Sequence, residues 1–142
     1  MKIRQLSIFL ENKVGRLAGV IGLLGKAGID IRAISVADTA DFGILRLLLK
    51  DVDRAAKVLG ERGVVCRVSN VTVAEVSAAP GGLAHVLSVL DQAGVNIEYM
   101  YAVAQSCRPD PMMVFRFADT EPALKAMQEN GIAILSEEEL FA

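Results

Sequence analysis

Apolar and polar positions alternate in some segments of this chain and recur every three or four residues in others. In the first half, residues 3–10 alternate as in a half-buried strand. Apolar residues then recur at i, i+3, i+4 and i+7 from Leu17, which is the spacing of a helix that buries one face. Gly28 follows the last periodic residue, and Gly94 has the same place in the second half. Both glycines are expected to end a helix in the left-handed conformation.

Each half is predicted to contain strand, helix, strand, strand, helix and strand in that order. The predicted strands lie at residues 3–10, 29–37, 42–49 and 64–68 in the first half and at 71–76, 95–104, 112–117 and 132–135 in the second. The second helix of each half begins at Asp51 or Asp119. The tail from Ser136 to Glu139 has the spacing of a capping box, which predicts one more helical turn.

The second half of the chain repeats the first in sequence as well as in pattern. Residues 15–31 and 81–97, offset by 66 positions, are identical at eight of 17 sites. Residues 51–63 resemble residues 119–131 at an offset of 68. Internal similarity at a fixed offset indicates duplication of one structural unit. We therefore predict two domains, residues 1–69 and 70–142.

The predicted order of elements is typical of the split βαβ, or ferredoxin-like, fold. In this fold both helices cover one face of an antiparallel four-stranded sheet. The predicted fold class is therefore α+β, with two ferredoxin-like βαββαβ units whose antiparallel sheets carry their helices on one face. Because this fold serves many functions, the function has to be argued from a site.

Composition and charge exclude some classes of partner. The hydrophobic fraction is 53% and the mean hydropathy is +0.42, which favours a homo-oligomer, most simply a dimer, that buries apolar surface between subunits. With 15 basic and 17 acidic residues and no basic stripe, a nucleic-acid partner is disfavoured. We expect no membrane partner, because no apolar run approaches the roughly 20 residues of a membrane span.

The residues that could carry chemistry are few. Cys66 and Cys107 are too few and too far apart for a metal site, and they favour reduced thiols in a cytoplasmic protein without a signal peptide. His85 is the one histidine and lies on the polar side of its predicted helix, where a solvated role is expected. No nucleophile, base and orienting group occur together. We therefore predict no catalytic residue, no metal, no cofactor and no enzyme activity.

Other uses of the fold lack their required residues. An RNA-recognition domain needs stacking aromatics on its central strands, and residues 43–49 contain none. A copper chaperone needs a Cys-x-x-Cys loop, whereas the two corresponding loops read ENKVG and AAPGG. An iron–sulfur ferredoxin needs clustered cysteines, whereas Cys66 and Cys107 are far apart in this sequence.

The loop after each first strand resembles that of the ACT domain. Residues 10–18 read LENKVGRLA and residues 28–31 read GIDI; in the second half, residues 79–84 read APGGLA and residues 94–97 read GVNI. The family pattern is a polar residue before Pro-Gly-x-Leu-Ala and, later, Gly-(Ile/Val)-Asn-Ile, with Val14 here in place of the proline. The resemblance covers essentially the whole chain as a tandem pair. It implies an allosteric module that binds an amino acid and regulates an enzyme of amino-acid metabolism.

The resemblance also implies where the ligand binds. A helix start offers unpaired N–H groups to a carboxylate, and a side-chain oxygen of Asn12 could accept a hydrogen bond from an ammonium. The residues implied for the main site are Leu10, Asn12, Lys13, Val14 and Gly15 from the first unit and Asn96 and Ile97 from the second. The residues implied for a weaker second site are Ala78, Pro80 and Gly81 from the second unit and Asp30 and Ile31 from the first.

Two functions remain open from the sequence. The first is a sensor that binds a small amino acid and controls a partner enzyme in trans. The second is an interaction subunit whose ligand pocket is vestigial. Asn12 also has a simpler interpretation, as the N-cap of the first helix, with Asn96 ending a turn.

Overall fold

The computed structural model describes residues 2–38, 41–104 and 108–142. It divides into two compact units. The N-terminal unit comprises Arg4–Ser69, and the C-terminal unit comprises Asn70–Ala142 with the first residues of the chain up to Ile3.

The N-terminal unit has the predicted order of elements. Its helices and strands are β1 (Ile3–Glu11), α1 (Arg16–Lys26), β2 (Ile31–Asp38), β3 (Phe42–Leu49), α2 (Val52–Gly60) and the first residues of β4 (Cys66–Glu75). The strand β3 pairs antiparallel with both β1 and β2, and the strand order is β2-β3-β1-β4. The N–H of Phe9 donates to the carbonyl of Val65 at 3.2 Å, which joins the end of β1 to the residue that precedes β4.

The C-terminal unit repeats this topology. It contains the later residues of β4, α3 (Gly82–Gln92), β5 (Ile97–Ala102), β6 (Met112–Phe117), α4 (Thr120–Glu129) and α5 (Glu137–Leu140). The strand β6 pairs antiparallel with β4 and β5. The residues after α4 run beside β4, because the N–H of Glu75 donates to the carbonyl of Ala133 at 2.9 Å and the N–H of Leu135 donates to that of Val73 at 2.8 Å.

Each unit packs its helices on one face of its sheet, as predicted. In the N-terminal unit, alternate residues of β1 and β3 meet α1 and α2, and the fully buried members of this core include Leu6, Ile8, Leu24, Leu45, Leu47 and Leu59. In the C-terminal unit, β6 provides Phe115 and Phe117, whose rings stack at 5.5 Å beneath α3 and α4. The α+β class with ferredoxin-like units is confirmed.

The ends of α1 and α3 follow the predicted glycine motif. Gly28 and Gly94 have φ values of 70° and 71°. The residue after each glycine donates its N–H back to the preceding helix. Ile29 donates to the carbonyl of Leu24 at 3.1 Å, and Val95 donates to the carbonyl of Leu90 at 3.0 Å. This pattern turns the chain sharply from the helix into the following strand.

The structure corrects two predicted strand boundaries. The strands predicted at residues 64–68 and 71–76 form one strand, β4, because no glycine or proline between Val64 and Val76 interrupts the extended backbone. The strand predicted at residues 132–135 is reduced to an isolated bridge between Ala74 and Ile134. It is cut short by Ser136, which forms the predicted capping box with Glu139 and begins α5.

Cys66 is the first residue of β4. The half-buried Cys66 thiol lies 3.5 Å from the carbonyl oxygen of Val64, and burial raises its pKa. Cys107 lies outside the described residues. Within the described ranges, none of the helices combines the length and the apolar character that crossing a membrane requires.

Candidate functional site

The helix α1 begins at a glycine. Gly15 is its N-cap with φ of 87°, and among the described residues no side chain caps the helix. A helix start without a side-chain cap leaves first-turn N–H groups to solvent or to a ligand. The interpretation of Asn12 as the N-cap is therefore wrong. Asn12 instead lies in the β1–α1 loop, where its N–H donates to the carbonyl of Asp41 at 3.0 Å.

Backbone hydrogen bonds hold this loop in shape. The N–H of Lys13 donates to the carbonyl of Glu11 at 2.8 Å, and the N–H of Arg16 donates to the carbonyl of Lys13 at 3.3 Å. A left-handed residue is needed where the loop enters the helix, and glycine adopts that conformation without steric cost. A Cβ added at Gly15 would have no described atom within 4 Å, so the surface beside it is open.

A cleft opens beside the start of α1 within the N-terminal unit. This N-terminal cleft has a volume of about 590 Å³. Its walls are the end of β1, the first turns of α1 and the loop from α2 to β4. The lining residues are Phe9, Leu10, Glu11, Gly15, Arg16, Gly19, Val20, Leu23, Arg62, Gly63, Val64 and Val65. Of the predicted site residues, Leu10 and Gly15 line this cleft, while Asn12, Lys13 and Val14 lie exposed in the adjoining loop.

The charges of the N-terminal cleft are mainly positive. The Glu11 carboxylate forms ion pairs with Lys13 at 3.0 Å and with Arg16 at 3.8 Å. These two cations lower the pKa of Glu11, with the hydrogen bond from Lys13 as the largest cause. Arg62, on the opposite loop, adds a further guanidinium. The cleft therefore combines a helix start, two arginines and apolar walls around one neutralised carboxylate.

An equivalent cleft of about 440 Å³ lies within the C-terminal unit. The helix α3 begins at Gly81 with φ of 89°, and no side chain of the described residues caps it. Of the predicted residues of the weaker site, Pro80 and Gly81 line this C-terminal cleft. Ala78 lies beside it and donates its N–H to the Asp110 carboxylate at 3.3 Å.

The two clefts differ in charge although their backbones correspond. Asn130 and Gly82 occupy the places of Arg62 and Arg16, and the carboxylates of Glu75 and Asp110 also line the C-terminal cleft. The Glu75 carboxylate is paired with Arg108 at 2.9 Å. The C-terminal cleft therefore lacks the arginine pair that would attract an anion.

A histidine occupies the C-terminal cleft where the N-terminal cleft has a glycine. His85 corresponds to Gly19 at the offset of 66 residues, and each lines the cleft of its own unit. A Cβ added at Gly19 would have no described atom within 4 Å. His85 is exposed, as expected, but it also takes up space at the cleft that Gly19 leaves open.

The other predicted site residues lie where the second strand of each unit starts, with Asp30 and Asn96 just before β2 and β5. The carbonyl of Asp30 accepts the N–H of Lys50 at 3.3 Å, and the carbonyl of Asn96 accepts the N–H of Ala118 at 3.0 Å. The Asp30 carboxylate also pairs with Arg32 at 3.0 Å. Ile31 and Ile97 are half-buried, and each packs against the core of its own unit. The pairing of Asn12 with Asn96 stays a prediction.

Sequence reasoning missed the loop that forms the third wall of each cleft. This loop comprises residues 62–65 in the N-terminal unit and residues 130–133 in the C-terminal unit. The available signal was the repeated glycine at its centre, Gly63 and Gly131, whose φ values are 73° and 70°. Within the described ranges, no group of three or more His, Cys, Asp or Glu side chains could hold a metal ion.

The fold and the clefts define a protein with two ferredoxin-like units in tandem. In each unit the first helix begins at a glycine, and among the described residues no side chain caps that helix. The chain belongs to the ACT domain pair family, whose sequence profile matches residues 1–142. The resemblance inferred from the sequence motifs is therefore confirmed.

Three comparisons place the chain among known proteins. It is 36% identical to the protein BT0572 from Bacteroides thetaiotaomicron, covering 99% of this chain and 96% of that chain with a TM-score of 0.91. It shares its fold with the ligand-free regulatory subunit of aspartate kinase from Thermus thermophilus, at 17% identity and a TM-score of 0.62, covering 89% and 90% of the two chains. It is also 44% identical to the acetolactate synthase small subunit of Buchnera aphidicola over 50 residues, which cover 35% of this chain and 31% of that subunit.

Proposed function

We propose that the protein is a non-enzymatic regulatory sensor that binds a small amino acid and controls an enzyme of amino-acid metabolism in trans. In this proposal, residues 1–69 and 70–142 are its two ACT domains, and it acts as a cytoplasmic homodimer. The carrying observation is the start of α1, where Gly15 leaves the first helical turn without a side-chain cap beside the N-terminal cleft.

The helix start supplies the site for the amino acid's carboxylate. Unpaired N–H groups and the positive end of the helix dipole both favour an anion there. Arg16, the first residue of α1, lines the same cleft and adds positive charge. Gly15 lets a ligand approach the main chain, because the space beside it is open.

The ammonium needs hydrogen-bond acceptors, which the β1–α1 loop can provide. We propose the side-chain oxygen of Asn12 and main-chain carbonyls of this loop for that role. Asn96 and Ile97 are proposed from the family resemblance to complete the site. The main site is therefore proposed to involve Leu10, Asn12, Lys13, Val14, Gly15, Asn96 and Ile97.

The second site, with Ala78, Pro80, Gly81, Asp30 and Ile31, is proposed to bind more weakly. Its cleft has Asn130 and Gly82 where the N-terminal cleft has arginines. Of the two carboxylates that also line it, that of Glu75 is paired with Arg108, and that of Asp110 disfavours a ligand carboxylate by like-charge repulsion. Ala78 further lacks the polar side chain that Asn12 has at the corresponding position.

The similar proteins support a regulatory role. The aspartate kinase neighbour is named as a regulatory subunit, and the acetolactate synthase relative is named as a small subunit. A second candidate function is an interaction subunit with a vestigial pocket. The exposed apolar side chains of Phe9, Val14 and Val65, near the mouth of the N-terminal cleft, favour it because they could contact a partner.

Thermal-shift measurements with each of the twenty amino acids separate the two candidates. A ligand at a hundredfold excess over its dissociation constant stabilises the folded protein by roughly 2.7 kcal/mol. Asn12→Ala and Asn96→Ala are expected to weaken that response, whereas the exposed control Asn70→Ala is expected to retain it. Absence of any shift would contradict the sensor and favour the interaction subunit. A full response in Asn12→Ala would remove Asn12 from the site.

A further inference from the structure

Arg62 is a cationic side chain of the N-terminal cleft that no ion pair engages among the described residues. It follows the end of α2, where its N–H donates to the carbonyl of Leu59 at 3.0 Å. The next residue, Gly63, has φ of 73° and turns the chain toward β4. The backbone that carries Arg62 is therefore fixed, while its guanidinium is exposed at the cleft.

The other arginine of the cleft is already engaged. Arg16 lies 3.8 Å from the Glu11 carboxylate, which is also bound by Lys13 at 3.0 Å. One negative charge is thus shared between two cations. Arg62 adds a third cation, on a different wall of the cleft from the start of α1.

The C-terminal cleft shows that the fold does not require a cation at this place. Asn130 replaces Arg62, and its side-chain amide donates to the carbonyl of Ala126 on its own helix at 2.7 Å. The rest of that loop keeps the glycine turn at Gly131 with φ of 70°. The shape of the loop therefore does not depend on an arginine at the corresponding position of the N-terminal unit.

We propose that the N-terminal cleft selects an amino acid with an anionic side chain, and that Arg62 determines this specificity. The inference rests on the proposed function. One carboxylate binds at the start of α1, and the guanidinium of Arg62 binds the second anionic group. A guanidinium fork matches a carboxylate in two parallel hydrogen bonds. The apolar side chains of Val20, Leu23 and Val64 line the space that the ligand's methylene groups would occupy.

Isothermal titration calorimetry on the full chain tests this specificity. The probes are L-aspartate and L-glutamate, with L-asparagine and L-glutamine as neutral analogues of the same size and O-phospho-L-serine to separate a phosphate from a carboxylate preference. At least one carboxylate probe is expected to bind about tenfold or more tightly than its amide, since a charged hydrogen-bonding partner typically changes affinity by roughly 10- to 100-fold.

Variants assign the preference to one side chain. Arg62→Gln is expected to remove the advantage of the acidic ligand while leaving binding of the amide within about twofold. Arg62→Lys is expected to retain part of the advantage of the acidic ligand, because the lysine ammonium keeps the positive charge but lacks the paired N–H donors of the guanidinium. Arg54→Gln removes the same charge from an exposed position of α2 outside the cleft and is expected to leave the affinity for every probe unchanged.

The outcomes separate this inference from the proposed function. Binding of a neutral amino acid, weakened by Asn12→Ala but as strong as that of any acidic one, overturns the inference and leaves the sensor standing. Retention of the acidic preference in Arg62→Gln also overturns it. Tighter binding of the phosphorylated probe than of both carboxylates supports the anionic class and assigns it to phosphate. Absence of binding by every amino acid overturns the proposed function itself.

Discussion

Filling the N-terminal cleft at Gly19 should weaken ligand binding strongly without harming the fold. Gly19 lines the cleft within α1, and a Cβ placed there would have no described atom within 4 Å. The C-terminal unit carries His85 at the corresponding position of α3. Gly19→His therefore transfers to one unit a side chain that the same fold already accepts in the other.

The expected effects on stability and binding differ in size. Replacing glycine by histidine in a helix interior gains roughly 0.3 kcal/mol of intrinsic helix propensity. The free energy of unfolding of Gly19→His should therefore stay within about 0.5 kcal/mol of the parent protein, a change in Tm of roughly 2 °C or less. Placing an imidazole beside the start of α1 should weaken a ligand carboxylate there by roughly 10- to 100-fold, the usual effect of losing a charged hydrogen bond.

Two further variants complete the experiment. Gly19→Ala adds a methyl group and should raise the free energy of unfolding by about 1 kcal/mol with a smaller effect on binding. Gly22→His places the same imidazole on an exposed position of α1 outside the cleft and should bind ligand normally. Unfolding is followed by circular dichroism and binding by calorimetry. If Gly19→His bound ligand within twofold of the parent protein, the N-terminal cleft would not be the site.

Three other substitutions test how the chain builds the units. Gly82→Ala should destabilise the protein by about 1–3 kcal/mol, because its Cβ would clash with the backbone carbonyl of Ser77, and the Tm of the variant measures this. Asp51→Ala should cost about 1 kcal/mol in urea unfolding, because the Asp51 carboxylate caps the first turn of α2. Glu139→Gln tests how the stability of the folded protein depends on pH. Hydrogen bonds from Ser136 lower the folded-state pKa of Glu139 from its ordinary 4.5. The ionised Glu139 carboxylate therefore stabilises the folded state above that value, and this stabilisation is lost as the pH falls through the lower, folded-state pKa. The Tm difference between the parent protein and Glu139→Gln should therefore shrink on acidification below pH 4.5, and a difference that does not depend on pH would contradict this reasoning.

Local features of the sequence were sufficient for much of the fold. The offset of 66 residues identified the duplication, and the periodic apolar positions identified the helices. Gly28 and Gly94 marked the helix ends because only a residue that tolerates positive φ completes that motif. These signals act over a few neighbouring residues, which is the range over which backbone conformation and helix capping are decided.

The interpretation of Asn12 shows where local reasoning failed. An asparagine four residues before the first residue of a helix is a plausible cap from its residue type alone. In the structure, the loop places Gly15 at the cap and directs the N–H of Asn12 to Asp41 instead. The prediction of two strands at residues 64–68 and 71–76 failed for a different reason, because no glycine or proline between them ends the extended backbone of β4.

The sequence by itself determined the repeated βαββαβ pattern, the family and the loop that begins each first helix, because these depend on short motifs. Only the tertiary structure revealed that Arg62 shares a cleft with Arg16. The two arginines are far apart in sequence, and they line one surface only after α2 has packed on its sheet and returned the chain to the end of β1. The difference in charge between the two clefts, which carries the specificity proposed above, therefore depends on packing that no local pattern encodes.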